Sequence, residues 1–295
     1  MALTFIDLFS GIGGFRLGME LAGHICVGHC EKDKFAERSY RAMHNIKKGE
    51  WYGEDITKIR GQELPKADCW CFGFPCTNIS ITGRQTGLQG EQSGLFFEVI
   101  RLLKETEKEN KPRWLFIENV RNLLSIAKGF DFAGILIALD KAGYDTQWQV
   151  LDSANFGVPQ HRERLYIVGH IRGSSGREIF PIPRKSKFVG MKQIANILPP
   201  RKKWKNPPLG RIFSIEGISP TLVCSGGGGH EIKILTEEEG EKRIRKLTPK
   251  ECFRLQGFPD EYFEKARAVN SDTQLYKQAG NGVTVPVIYE IAKRL

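Results

Sequence analysis

The residues best suited to chemistry in this sequence all fall at the edge of an apolar run. Cys76 follows Pro75 in GFPC (73–76), at the end of the apolar stretch CWCFGF (69–74). Glu118 and Asn119 close another such run in IENV (117–120). Arg162 and Arg164 stand at the start of a third, in PQHRERLYIVG (159–169). A thiol, a carboxyl group and guanidinium groups are the parts needed for nucleophilic and proton-transfer chemistry on a bound substrate. Each also has an ordinary reading: Cys76 as a core thiol, Glu118 as a loop acid, Arg164 as a surface cation. If the ends of these runs face one way, the groups converge on one pocket.

A second set of residues could hold a ligand beside them. DLFSGIGGF (7–15) places Gly11, Gly13 and Gly14 between an apolar run and a helix-like segment. Glycines there let the chain turn tightly and let a ligand approach the backbone. Glu31 lies twenty residues after Gly11, where a carboxylate can accept the hydroxyls of a ribose. Asp55, in GEDIT (53–57), follows the next short run. The turn reads G-x-G-G, not the G-x-G-x-x-G of dinucleotide sites. That favours S-adenosylmethionine, which has no pyrophosphate, over a nicotinamide dinucleotide, and leaves the second open.

The elements that must position these groups alternate. Strand-like runs at 3–9, 24–30, 68–74, 113–119, 146–152 and 164–171 are separated by helix-like segments at 15–23, 34–45, 94–109 and 132–143. Continuous apolar strands alternating with helices predict an α/β fold with a mainly parallel sheet covered on both faces. In such sheets ligands bind at the carboxyl ends of the strands. After residue 172 the sequence becomes rich in Pro, Gly and basic residues, which predicts a smaller, irregular region over 173–268. LTPKECFRLQGFP (247–259) carries a capping box, Thr248 with Glu251, and VPVIYEIAKRL (285–295) has an apolar helical face. The predicted domains are 1–172, completed by 269–295, and 173–268.

Composition narrows the setting. The chain has 295 residues, 40% hydrophobic and 26% charged, with seven cysteines and a net charge of +10. The odd cysteine count and the lack of a signal-like leader predict a reduced, cytoplasmic setting. No apolar run approaches the roughly 20 residues of a membrane span. Cys26, His29 and Cys30 lack a second ligand pair, so no metal is expected. Between Arg172 and Arg211 eleven cations face one acid, Glu178, which accounts for the whole net charge. Such a window predicts a polyanionic partner.

Taken together, DLFSGIGGF, Glu31, EDI (54–56), GFPC, ENV, QHRER, RKLTPKECFRLQGFP and GNGV resemble the DNA (cytosine-5)-methyltransferases of bacterial or phage modification systems, in that family's order along nearly the whole chain. The resemblance implies an S-adenosylmethionine-dependent, Rossmann-like catalytic domain with a small target-recognition domain. It implies a flipped-out cytosine in a short duplex sequence, methylated at carbon 5 through a covalent adduct with Cys76. Glu118 would act at N3, Arg164 would hold the base and keep Cys76 ionised, and Arg162 and Asn119 would complete the catalytic set. Cofactor contacts carried over by position are Phe9, Gly11, Ile12, Gly13, Glu31, Asp55, Ile56, Pro75, Leu95, Asn281 and Val283. DNA contacts implied are Ser80 and Thr82 in a closing loop over about 76–95, with Gln160, Arg211 and Thr221. Arg211 is assigned to a guanine edge, the commonest specific contact of arginine. Partners implied are double-stranded DNA and a cognate restriction endonuclease acting separately, with the enzyme a monomer. Two positions depart from the family: Thr77 where many members have Gln, and Gly282 where many have Ser. Rival readings are a tRNA cytosine methyltransferase, a catalytically silent DNA-binding protein and a nicotinamide dehydrogenase.

Overall fold

The computed structural model describes residues 1–74, 94–174, 176–183, 190–200, 203–224, 231–238 and 240–295. The apolar runs form one seven-stranded sheet: β1 (Thr4–Leu8), β2 (Ile25–Cys30), β3 (Trp51–Gly53), β4 (Cys69–Phe72), β5 (Trp114–Val120), β6 (Tyr144–Asp152) and β7 (Glu163–Ile171). Their order is β3-β2-β1-β4-β5-β7-β6. The first five are parallel. Helices α1 (Gly14–Leu21), α2 (Lys34–Met43), α3 (Leu95–Glu105) and α4 (Phe130–Lys141) make the intervening connections.

Alternate residues of the strands feed opposite faces. Leu115 and Ile117 of β5 pack with Phe96, Val99 and Leu103 of α3 and Ile135 of α4. Trp114 and Phe116 face Phe15 and Met19 of α1, together with Val287, Ile288 and Ile291 of the last helix, α8 (Val285–Ala292). The contact of α1 with α8 depends on Gly18. A Cβ there would stand 2.6 Å from Cβ of Ile288, so only a glycine lets the two backbones come this close.

β7 runs antiparallel between β5 and β6. This reversal brings the beginning of β7 to the same edge as the ends of the parallel strands, and Val120 pairs with Arg164 across the ladder. The switch point of the sheet, where the order turns back between β1 and β4, opens at this edge too.

The region expected to be irregular contributes four short strands, β8 (Gln193–Asn196), β9 (Arg211–Ser214), β10 (Lys233–Glu238) and β11 (Glu241–Lys246), in the order β11-β10-β9-β8. Pro199, Pro200, Pro207 and Pro208 lie in the connection between β8 and β9, where proline breaks no ladder. Three further helices follow: α5 (Pro249–Leu255), α6 (Asp260–Arg267) and α7 (Asp272–Asn281). The capping box at α5 is present, with Thr248 N–H donating to Glu251 Oε2 at 2.7 Å. Leu222, Ile234 and Leu247 share a core with Phe253, Phe263 and Leu275 and with Ile12 and Leu17 of the larger sheet's face. The small sheet is thereby fastened to the glycine turn by apolar packing.

Candidate active site

At the edge of the large sheet, Arg164 Nε lies 3.2 Å from Glu118 Oε1, and both side chains are largely buried. Burial pushes the Glu118 carboxyl above its usual range, and the nearby Arg164 and Arg162 only partly oppose this. A carboxyl whose pKa is raised in this way keeps its proton to higher pH than a solvated one and can hold it against a substrate atom. β4 delivers the chain to the same place. Asn119 Nδ2 donates to the Phe74 carbonyl at 3.3 Å, and a Cβ on Gly73 would stand 3.2 Å from Glu118 Oε2. Pro75 and Cys76 come next in the chain and lie outside the described residues, as do Ser80 and Thr82.

Beside this pair, the turn after β1 is backbone-strained. Phe9 has φ 54°, and Gly11 and Gly13 have φ 57° and 78°. A bulky residue in the left-handed region is a genuine outlier, of the kind that clusters at binding sites. Gly11 N–H donates to Glu31 Oε2 at 2.7 Å, and Asp33 N–H donates to Glu31 Oε1 at 2.6 Å. Phe9, Ile56 and Leu95 border one apolar cluster. Asp55 accepts from Thr57 N–H and Oγ1–H and pairs with Lys32 Nζ at 2.8 Å. The Lys32 ammonium foremost, and the Thr57 donors, hold its carboxyl at about 2. Val283 closes the turn from the other side, since a Cβ on Gly14 would meet its side chain at 2.7 Å.

The C-5 cytosine-specific DNA methylase family matches this chain over residues 3–214 and 216–295. The chain belongs to that family. The methylase is 35% identical to the Type II methyltransferase M.Bsp6I of Bacillus sp. (strain RFL6), over 99% of this chain and 98% of the relative. It is 33% identical to the Type II methyltransferase M.HhaI of Haemophilus parahaemolyticus, over 98% of this chain and 93% of the relative. Two solved structures share its fold: the Entamoeba histolytica methyltransferase EhMeth (TM-score 0.74, 19% identity, covering 98% of this chain and 96% of that one) and the S. pombe Dnmt2 methyltransferase (TM-score 0.71, 19% identity, covering 99% and 98%). The methylase is a DNA cytosine-5 methyltransferase, as the sequence resemblance implied.

The remaining expected residues divide. Ile12 is buried under the glycine turn, and His44 beneath it donates from Nε2 to the Ile12 carbonyl at 3.0 Å. Burial drives the His44 imidazole down to about 3, so it is neutral and fixed as a donor. Asn281 ends α7 and is exposed. Arg162 is 3% exposed, and its guanidinium donates to the carbonyls of Leu222, Gly280 and Gly282. Gln160 is fully buried with both ends of its amide bonded inside the protein, so the structure does not bring it to a DNA-facing surface. Thr221 Oγ1 donates to the His161 carbonyl at 2.7 Å, and Arg211 Nη2 donates to the Asn206 carbonyl at 3.0 Å. Sequence reasoning passed over His44 and Lys32. Lys32 had a signal, since it adjoins Glu31; His44 had none apart from its partner. Among the described residues no group of three His, Cys, Asp or Glu side chains is placed to hold a metal, and no helix is long and apolar enough to cross a membrane.

Proposed function

We propose that the methylase transfers a methyl group from S-adenosylmethionine to carbon 5 of a cytosine flipped out of duplex DNA, through a covalent adduct with Cys76. The observation that carries this reading is the buried Glu118–Arg164 pair at the sheet edge, beside the Phe74 carbonyl from which the chain runs on to Pro75 and Cys76. Carbon 5 of cytosine is too poor a nucleophile to take a methyl group directly. Addition of the Cys76 thiolate to carbon 6 forms an S–C bond and moves electron density to carbon 5. Glu118 holds a proton at N3, offsetting the charge pushed into the ring, and its raised pKa suits that role. Arg164 holds Glu118 and the base in place and favours the thiolate. After carbon 5 gains the methyl group, loss of its proton returns electrons to the ring and expels Cys76.

S-adenosylmethionine, when bound, supplies an electrophilic methyl group. The residues present fit it. Glu31 offers a carboxylate for the ribose hydroxyls, and Phe9, Ile56 and Leu95 offer an apolar face for the adenine. Asp55 offers an acceptor for the exocyclic amine, while Val283 borders the turn and Asn281 stands two residues before Val283 in the chain. In a stacked duplex the target atoms are unreachable, which is why flipping is required. Residues 173–268 serve as the target-reading part, with Arg211 and the segment at Thr221 toward the bases. Both relatives' names support a place in a Type II modification system.

The test offers labelled S-adenosylmethionine with duplex DNA or with tRNA, to the wild type and to Cys76→Ser. Label should appear at carbon 5 of cytosine in DNA with the wild type alone. Turnover by Cys76→Ser, or label only in tRNA, would overturn the reading. Duplex carrying 5-fluorocytosine should give a denaturation-resistant complex, because fluorine cannot leave as the proton does.

A further inference from the structure

The segment 219–222 and the turn 280–282 are distant in the chain, yet both are tied to residues 159–162. Ser219 N–H donates to the Pro159 carbonyl and His161 N–H to the Ser219 carbonyl, each at 2.8 Å. Leu222 is gripped at both ends of its backbone. Its N–H donates to Gln160 Oε1 at 2.9 Å, and its carbonyl accepts from Arg162 Nη1 at 3.1 Å. The far side of the same guanidinium holds the other segment, with Arg162 Nη2 donating to the carbonyls of Gly280 at 3.1 Å and Gly282 at 2.8 Å. Gln160 Nε2 donates to the Leu255 carbonyl at 2.9 Å, and the next residue, Gln256, donates to the Ala279 carbonyl at 2.6 Å. The two segments also abut, since a Cβ on Gly280 would stand 2.6 Å from the backbone of Val223 and Cys224.

We infer that Gln160 and Arg162 are positioning residues that lock the target-reading segment to the cofactor turn, so that DNA and cofactor each tighten the binding of the other. The inference rests on the proposed assignment of 219–222 to DNA and of Asn281 and Val283 to S-adenosylmethionine. A guanidinium is a rigid fork with fixed angles between its donors. Buried amide and guanidinium groups are costly to strand without partners, so a shift of either segment away from the clamp is penalised unless Gln160 and Arg162, and with them the other segment, move too. A ligand that orders one segment therefore orders both, and such coupling is reciprocal. The clamp also lies two residues before Arg164, which ties the frame to the base pocket.

The experiment measures S-adenosylhomocysteine affinity by calorimetry, with and without a duplex carrying the sequence the wild type modifies. In the wild type the duplex should tighten binding by about 5-fold or more, the lower end of typical coupling. Arg162→Lys keeps the charge but loses the fork. It should melt cooperatively and bind each ligand, with that ratio reduced to near one. Should Arg162→Lys not fold, amide hydrogen exchange of the wild type decides: S-adenosylhomocysteine alone should slow exchange at 219–224, and duplex alone should slow it at 279–284. A ratio of one in the wild type, an unchanged ratio in Arg162→Lys, or protection confined to each ligand's own segment would overturn the inference. A wild type that methylates DNA yet shows no coupling defeats only the clamp, whereas one that transfers no methyl group to DNA defeats the functional reading.

Discussion

Glu118 carries a protonation signature that can be read without the substrate. Its pKa is raised in the fold, chiefly by burial, so the folded state holds its proton to higher pH than the unfolded chain does. The wild type should therefore gain stability as pH falls through the Glu118 pKa, and Glu118→Gln should lack that gain. Melting temperatures of the two across pH 5 to 9 should diverge in favour of the wild type toward acid. Parallel curves would mean that Glu118 titrates normally. The same proton predicts that turnover falls as pH rises through that pKa, and that Glu118→Gln loses most activity at every pH. At this scale the sequence marks strand edges: Cys76 and Glu118 stand where apolar runs end and Arg164 where one begins, and the structure brings Glu118 and Arg164 together. It could not separate Arg162 from Arg164. One guanidinium meets Glu118, and the other meets carbonyls 60, 118 and 120 residues away. Only folding brings those carbonyls together, so no local pattern distinguishes the two arginines.

The long strands and the first four helices were legible because their apolar periodicity is strong and their boundaries are marked by turn residues. α3 stops at Glu105, short of the expected 109; Glu107, Lys108 and Glu109 beyond it are exposed, so no buried stripe extends the helix. α6 and α7 went unread. Each buries only a few side chains, Phe263 and Ala266 in one and Leu275, Gln278 and Ala279 in the other, too sparse a stripe to stand out. Gly18 tests the packing of α1. Gly18→Ala should raise helix propensity by about 1 kcal/mol but force the overlap with Ile288. Overpacking costs about 1–3 kcal/mol, so the urea midpoint should fall or at best hold. A clear gain in midpoint would show that α8 gives way easily. His44 tests the support beneath the glycine turn. Its pKa is held near 3 by burial, against about 6.5 in an unfolded chain, so the unfolded state takes up a proton that the fold refuses. Stability should drop as pH falls from about 6.5 toward 3. His44→Gln, which keeps a donor for the Ile12 carbonyl, should show a shallower drop in acid urea titrations.

Across the whole molecule, charge separates from catalysis. Among the described cations of the basic window, Lys192, Lys203, Lys205 and Arg211 lie in or beside the small sheet, while the large sheet's edge holds Glu118 and Arg164. If that window faces phosphates, duplex affinity should fall steeply with salt. Neutralising exposed Lys203 and Lys205 together should weaken target and non-target duplexes alike and flatten the log–log slope by about 2. Arg211→Ala should instead reduce discrimination at one base pair. Equal loss on both duplexes would move Arg211 among the phosphate contacts. The sequence showed this polarity plainly in its charge distribution, but it did not show how the basic region is attached, because Leu222, Ile234 and Leu247 are scattered hydrophobes that acquire a common core only in three dimensions. The pairing of α1 with α8 bears on how the protein comes into being. The sheet partners of Phe15 and Met19, Trp114 and Phe116, are made long before α8 is. On the ribosome the side of α1 that meets Val287, Ile288 and Ile291 therefore stays open to chaperones until α8 has emerged, and the glycine turn attached to α1 takes its final form only then.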